Sequence, residues 1–416
     1  MKTLGLIILW VLPTLTFFCQ TNFEELQNKD SIFITKGNFI PILAYDSDNG
    51  LRYGATINVF RIKRSEINSE KRPFTDNLFL RGFHSTKKNF QSVLLLESNS
   101  LLRKSKCFIE FSASKDDSFE FFGINGYQSL YSEQLIDPEH PEFISALYYK
   151  HKKEFYKFRF DHQQFIGSPY LRILNGLSIT YTKSTYDSSQ LIHTYTSNKL
   201  LKNAGGYFQY NVGLIAENRN NQFYCTKGYW HEAMLIGSSD FKGQHFIKTV
   251  LTIRNYIPVK SRKTILMSRL SFQNKLSGDI PYELLSQYYD SRLNVDGIGG
   301  VFTLRGKPRN RMLADGFILS NLELKRSILQ RSLLSNTISI ELSFFMDQYF
   351  ISQEIKIKDK LLIPFYNDTG SRYSATYGFG GYIVLNESSV ISFNYGLPLI
   401  NDEHGGRFYV GAGFMF

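Results

Sequence analysis

Residues 301–311 read VFTLRGKPRNR. Four cationic side chains, Arg305, Lys307, Arg309 and Arg311, follow a short apolar run, with Gly306 and Pro308 between them. Cations at this density either meet an anionic ligand or pair with carboxylates elsewhere in the chain. An arginine offers a planar fork that carboxylates can grip, and a glycine lets the backbone turn sharply. The other reactive residue types are dispersed. His84, His140, His151, His162, His193, His231, His245 and His404 show no metal-ligand spacing, and no G-x-S-x-G nucleophile motif occurs. No metal, no cofactor and no enzymatic activity are expected. Cys107 and Cys225 sit in or beside strand-like segments far apart in sequence. They form either one disulfide, which export would permit, or two free thiols, one packed and one in a turn.

The elements that must position the cationic stretch are strands. Hydrophobic residues make up 43% of the 416, and the aromatics are almost all Tyr (26) and Phe (36). With a mean hydropathy of −0.22, this composition suits strands that face lipid on one side and water on the other. After residue 20 no stretch approaches the roughly 18 apolar residues of a membrane helix. The start of the chain is different. Lys2 precedes LGLIILWVLPTLTFF and then Cys19-Gln20, which reads as a signal peptide over 1–19 cleaved between Cys19 and Gln20. Lipidation of Cys19 is the alternative, but it wants a small preceding residue and Phe18 is bulky. Losing this segment lowers the net charge of +11 by one. The basic balance suits an anionic surface. Nucleic acid is not expected of an exported chain with no basic helix or RNA-binding signature.

Alternation at period two recurs along the chain. In 337–347, Ile338, Ile340, Leu342, Phe344 and Met346 share one face and Thr337, Ser339, Glu341, Ser343 and Asp347 the other. Segments 52–59, 264–273 and 390–397 repeat the pattern. About sixteen strands are expected, at 37–46, 51–61, 76–86, 90–99, 105–114, 144–165, 169–183, 204–216, 227–237, 243–256, 263–275, 315–327, 336–347, 374–386, 388–397 and 406–416. Longer loops are expected near 62–75, 115–143, 184–203, 276–314 and 348–373. Periodicity alone fits a soluble sandwich or, with the faces reversed, a membrane barrel. Export, charges and glycines on nearly every polar face, and alternating short and long connectors favour an all-β, transmembrane antiparallel barrel. An even count closes with every edge paired, as lipid demands. The expected organisation is a signal peptide (1–19), a short periplasmic segment (20–36) and the barrel (37–416). The last strand ends YVGAGFMF, and Tyr409, Gly411, Phe414 and Phe416 resemble the recognition signal of outer-membrane barrel strands. Pro41 in the first strand cannot donate a ladder hydrogen bond, so it reads either as part of a weak closing seam or as a local bulge.

Three separated blocks resemble one family, the BamA/TamA-like superfamily of outer-membrane barrels, also called bacterial surface antigens. AENRNNQFYCTKG (216–228) is similar to that family's D-x-R-D-N-x-x-x-P-x-x-G turn. Arg219, Asn221 and Gly228 match it, and Cys225 stands where proline is usual. GIGGVFTLRGKPRNRMLADGFILSNLELK (297–325) is similar to the G-G…V-R-G-F/Y hook and the N-x-E strand after it, with Lys307 in place of the aromatic. FFMDQYF (344–350) is similar to the F-x-D-x-G strand, with Gln348-Tyr349 where a glycine would follow. The resemblance spans 37–416. It implies sixteen strands and a long loop folded into the lumen, where Arg305, bent at Gly306, would pair with Glu323 and Asp347. Arg309 and Arg311, beyond Pro308, read as solvated charges at the loop mouth. The resemblance further implies the bacterial outer membrane, contact with its lipid and lipopolysaccharide, and client outer-membrane proteins or accessory subunits as partners. A member without POTRA domains is expected. The implied role is non-enzymatic assembly, insertion or translocation of outer-membrane components. A passive pore, a structural barrel or a subunit of a larger complex are the alternatives.

Overall fold

The structure, a computed structural model, describes residues 32–46, 50–66, 75–129, 131–198, 201–222, 224–260, 263–292, 295–296, 298–333, 336–356, 366, 370–387, 389–399 and 405–412. The expected signal peptide and its cleavage point lie outside the described residues, as do Phe414 and Phe416. The first eleven strands are β1 (Phe33–Asp46), β2 (Gly50–Lys63), β3 (Asp76–Ser85), β4 (Phe90–Ser98), β5 (Ser105–Glu120), β6 (Lys150–Phe165), β7 (Leu171–Thr185), β8 (Ala204–Glu217), β9 (Gly228–Asp240), β10 (His245–Pro258) and β11 (Thr264–Gly278). A small hairpin, β12 (Gln287–Tyr288) and β13 (Val295–Asp296), lies in the next connection. The wall resumes with β14 (Gly316–Leu333), β15 (Asn336–Gln353), β16 (Tyr373–Leu385), β17 (Ser389–Pro398) and β18 (Arg407–Ala412). Apart from the small hairpin, each strand pairs with the next, and β18 returns to β1 to close a barrel of sixteen.

Burial decides between the two readings of the alternation. On β15, Leu342 and Phe344 are 53% and 48% exposed, whereas Glu341 and Asp347 are at 1% and 0%. Tyr53 and Ile57 on β2, Ile179 on β7, Leu251 and Ile253 on β10 and Phe379 on β16 also lie exposed on the outer face. An apolar outside and a polar inside is the arrangement of a transmembrane barrel and the reverse of a soluble sandwich. Where protein fills the lumen, its charges must be paired internally. Lys157 meets Glu110 at 3.1 Å, Arg254 meets Glu232 at 2.6 Å, and Lys325 meets Glu341 at 3.1 Å.

The sixteen expected segments coincide with the sixteen wall strands, with differences at some ends. The region 144–149, expected as the start of a strand, is a turn whose Tyr148 and Tyr149 are buried. β5 runs on past its expected end to Glu120 across a register shift between Asp116 and Phe119. β15 runs past Asp347 to Gln353, and its inward Tyr349 and Ile351 are buried. There the lumen is filled with protein, so inward residues become apolar and the contrast between faces disappears.

Connections 121–149, 186–203, 279–315 and 354–372 all leave the end opposite to the one where the chain enters β1 and leaves β18. They pack on one another. Phe121, Phe122 and Tyr149 join Leu191 and Tyr195 of helix α1 (Leu191–Ser197), Tyr282 and Leu285 of α2 (Tyr282–Leu285), and Leu313 in one buried cluster. From this cap the segment 286–315 descends into the lumen. Gln273 donates to the Tyr289 carbonyl (2.9 Å) and accepts from the Tyr289 amide (3.2 Å), taking the place of a neighbouring strand. Arg254 also holds Asp290. The Ser291 amide donates to Glu232 at 3.1 Å, and Arg292 donates to the Gln222 carbonyl at 3.2 Å in the turn at the far end.

Candidate functional site: the luminal hook and the closing seam

The tip of this inward segment is held first by its own backbone. The Gly300 amide donates to the Lys307 carbonyl (3.0 Å) and the Asn310 amide to the Ile298 carbonyl (2.9 Å). Thr303 Oγ1 accepts from the Gly299 amide at 2.9 Å. These bonds close 299–310 into a compact hook with Arg305 at its point.

Arg305 is fully buried. Its Nε and Nη2 donate to the two oxygens of Asp347 at 2.8 and 3.0 Å, and its backbone amide donates to Asp347 Oδ2 at 3.1 Å. Nη1 reaches Glu323 Oε2 at 2.8 Å and Asn394 Oδ1 at 3.3 Å. The guanidinium lies 3.4 Å from the centroid of the Phe345 ring. Two carboxylates, a forked bidentate contact and an aromatic face together surround a charge whose desolvation alone would be costly. The acids are held in turn. Asn321 donates to Asp347 (2.8 Å) and to the Thr303 carbonyl (2.7 Å), Arg269 donates to Asn321 (2.8 Å), and the Tyr382 hydroxyl donates to Glu323.

Gly306 has φ +96°, and a Cβ there would stand 2.9 Å from the Gly396 carbonyl carbon. A side chain is excluded both by conformation and by the close approach of β17. The Gly306 amide donates to the Tyr409 hydroxyl at 3.2 Å. Hook and last strand are thus in direct contact. Tyr409 stood out in the sequence only as part of the terminal pattern. Asn394, Tyr382 and Gly396 belong to no motif, although Asn394 and Gly396 share the inward parity of Ser392. Asn321 stands in the N-x-E strand and shares the inward parity of Glu323.

Arg309 and Arg311 are not solvated charges at the loop mouth. Arg309 pairs with Asp116 at 2.8 Å. Arg311 is buried and donates to the carbonyls of Gly126 and, at 3.1 Å, Ser129. Arg309 pins the hook to β5, and Arg311 pins it to the connection after that strand. They sit beneath the cap of loops, which the sequence does not show to be folded over them.

The turn 218–227 between β8 and β9 also folds inward. Arg219 donates to Glu217 (2.9 Å) and lies 4.5 Å from the Trp230 ring centroid. Asn221 accepts from the Tyr224 amide (3.1 Å) and donates to the Glu387 carbonyl (3.3 Å) across the barrel. Tyr224 reaches Glu341. Gly228, with φ +127°, packs its α-carbon against Asn218 too tightly for a side chain. Cys225 and Cys107 are both free and buried. Burial pushes the Cys225 thiol up to about 11, against the opposing pull of Arg219. The unfolded value is about 8.5, so rising pH between that value and about 11 favours the unfolded chain. Accordingly, iodoacetamide at pH 8.5 is expected to label Cys225 much more slowly in the folded barrel than in urea. Equal labelling rates, read by mass spectrometry of the peptide, would contradict this packing.

The closing seam joins β1 to β18. β1 is paired with β2 along its whole length, from Phe33↔Lys63 to Asp46↔Gly50. Against β18, among the described residues, its register is the single pair Asp46↔Tyr409. Arg52 of β2 also donates to the Val410 carbonyl of β18 at 3.4 Å. Pro41 lies opposite Ala55 in the β1–β2 pairing. Gly411 pairs with Ser392 of β17. No group of three or more metal-ligating side chains occurs among the described residues.

These features define a class: a sixteen-stranded transmembrane barrel whose own loop fills the lumen and reaches its last strand. No family model and no curated protein matches the sequence. Solved structures do share the fold. BamA from Haemophilus ducreyi lacking POTRA domains 1–3 matches with a TM-score of 0.54 at 16% identity, over 91% of this chain and 70% of that one. CdiB from Escherichia coli matches with a TM-score of 0.54 at 11% identity, over 92% of this chain and 63% of that one. CdiB from Acinetobacter baumannii gives 0.52 at 11%, over 92% and 60%. The chain therefore has the fold of the BamA-like barrels, and it spans less than two thirds of either CdiB chain.

Proposed function

We propose that this chain is an exported barrel of the bacterial outer membrane that works without catalysis in the assembly, insertion or translocation of outer-membrane components. The observation that carries the reading is the contrast at closure. Among the described residues one register pair joins β1 to β18, while the hook is braced by a buried network directly behind that junction. A seam held by few backbone hydrogen bonds opens at low cost. Its opening exposes strand edges to which a client strand can add. The resemblance to a superfamily of insertases and translocases supports the reading. The partners would be outer-membrane lipid and lipopolysaccharide around the apolar wall, with client outer-membrane proteins or accessory subunits at the seam.

A passive pore is the second reading. The segment 286–315 crossing the lumen favours small, flickering currents over steady ones in planar bilayers.

The test is a seam lock. Ala44→Cys with Gly411→Cys places two thiols opposite one another if the Asp46↔Tyr409 register continues. The substrate is a urea-unfolded eight-stranded outer-membrane barrel added to vesicles that hold the protein. The oxidised protein is expected to lose its acceleration of insertion, and reductant is expected to restore it. Full activity in the oxidised form would rule the seam out as the route.

A further inference from the structure

Most of the luminal wall balances its cations. Arg159 meets Asp161, Arg172 meets Glu217, and Lys106 meets Glu97. Arg81 on β3 departs from this. It lines a cavity of about 70 Å3 behind the seam, together with Arg52, Phe83, Gln91, Val410 and Gly411. Arg81 donates to the Gln91 side-chain carbonyl at 3.3 Å, and its Nε has no hydrogen-bond partner. Among the described residues no carboxylate lies within ion-pair distance of it. The charge that acts on it is the Arg52 guanidinium, of the same sign. Arg52 sits 5.3 Å from the Phe83 ring centroid and reaches the Val410 carbonyl. The remaining lining is mixed: Ile42, Ala44, Val301 and Phe302 are apolar, while Arg305, its partner Asn394 and Tyr382 supply much of the polar part.

An uncompensated guanidinium inside a membrane barrel is costly. Two guanidiniums converging on one cavity make a receptor for an oxyanion, which they bind through charge-assisted hydrogen bonds. The apolar flank suits a hydrocarbon chain attached to that anion. We propose that the cavity behind the seam is an oxyanion site that takes a phosphate group, with Arg81 and Arg52 as its ligands. A phosphate could come from a membrane lipid headgroup or from solution. The inference rests on the seam reading for the lipid source alone. Free phosphate needs no open seam, so the site and the seam can fail separately.

The experiment uses the full barrel in zwitterionic detergent at constant ionic strength. Unfolding midpoints are recorded against inorganic phosphate and against dihexanoyl phosphatidate, for the native chain and for Arg81→Gln. Both probes are expected to raise the midpoint of the native chain. Arg81→Gln is expected to weaken both by about tenfold or more, since a hydrogen bond to a charged group is lost. A larger effect of phosphatidate assigns the site to lipid, and equal effects assign it to the free anion. Without either probe, Arg81→Gln should be as stable as the native chain or more so, because an unbalanced charge has been removed. Equal midpoint shifts in the two proteins, no shift in either, or a clear loss of stability in the probe-free variant would each overturn the proposal.

Discussion

Arg305→Ala is expected to destabilise the barrel by about 3–5 kcal/mol, the range for removing one partner of a buried ion pair. The substitution deletes the bidentate contact to Asp347, the contact to Glu323 and the stacking on Phe345. It leaves Asp347 and Glu323 buried at 0% and 1% exposure, with Asn321 and Tyr382 as their remaining side-chain donors. The readout is the temperature at which the compact electrophoretic band converts to the unfolded one. Arg305→Lys should fall between the two, because a lysine keeps the charge but cannot form the fork or lie flat on the ring. An unchanged conversion temperature for Arg305→Ala would show that the hook does not brace the wall.

Gly396→Ala attacks the same contact from the other side. Gly396 lies on β17, and a Cβ there would stand 2.7 Å from both the Arg305 carbonyl carbon and the Gly306 nitrogen. Those atoms are backbone, so the hook as a whole must shift. Overpacking of this kind costs about 1–3 kcal/mol. A second consequence is local. Arg309 and Arg311 are sheltered in the native barrel, and a displaced hook should present them to trypsin. Limited digestion is expected to cut Gly396→Ala within 301–311 while the native barrel resists there. Combined with Arg305→Ala, the change should add little, because both act through one contact. Full additivity would mean that the two residues stabilise the barrel independently.

The strands were legible because lipid and water impose opposite demands on adjacent residues. TISIELSFFMD carries that contrast without interruption, and the structure places its Leu342 outside and its Glu341 inside. The pattern fails where the inside is neither lipid nor water. Tyr349 and Ile351 face buried loop rather than solvent, so β15 outruns its apparent end. The placement of Arg305 beside Glu323 and Asp347 is what the family resemblance implies, and the inward parity of the two acids agrees with it. The partners of Arg309 and Arg311 did not. Asp116 and the carbonyls of Gly126 and Ser129 lie nearly two hundred residues away in the chain, and no periodicity links a loop to the loop that covers it. Arg81 was hidden for a related reason. Its alternation is ordinary, and only the assembled wall shows that, among the described residues, no carboxylate pairs with it.

The partners of the hook come late in the chain. Glu323 and Asp347 precede β16, but Asn394 lies on β17 and Tyr409 on β18. A polypeptide that stops short of residue 389 would still hold both acids, yet it could not offer the floor against which Gly306 rests. Seating of the hook therefore records that the whole chain has arrived and that its last strand has found its place. Protection of 301–311 from protease is a completion mark for the barrel, and it should appear only after the final two strands have joined the wall.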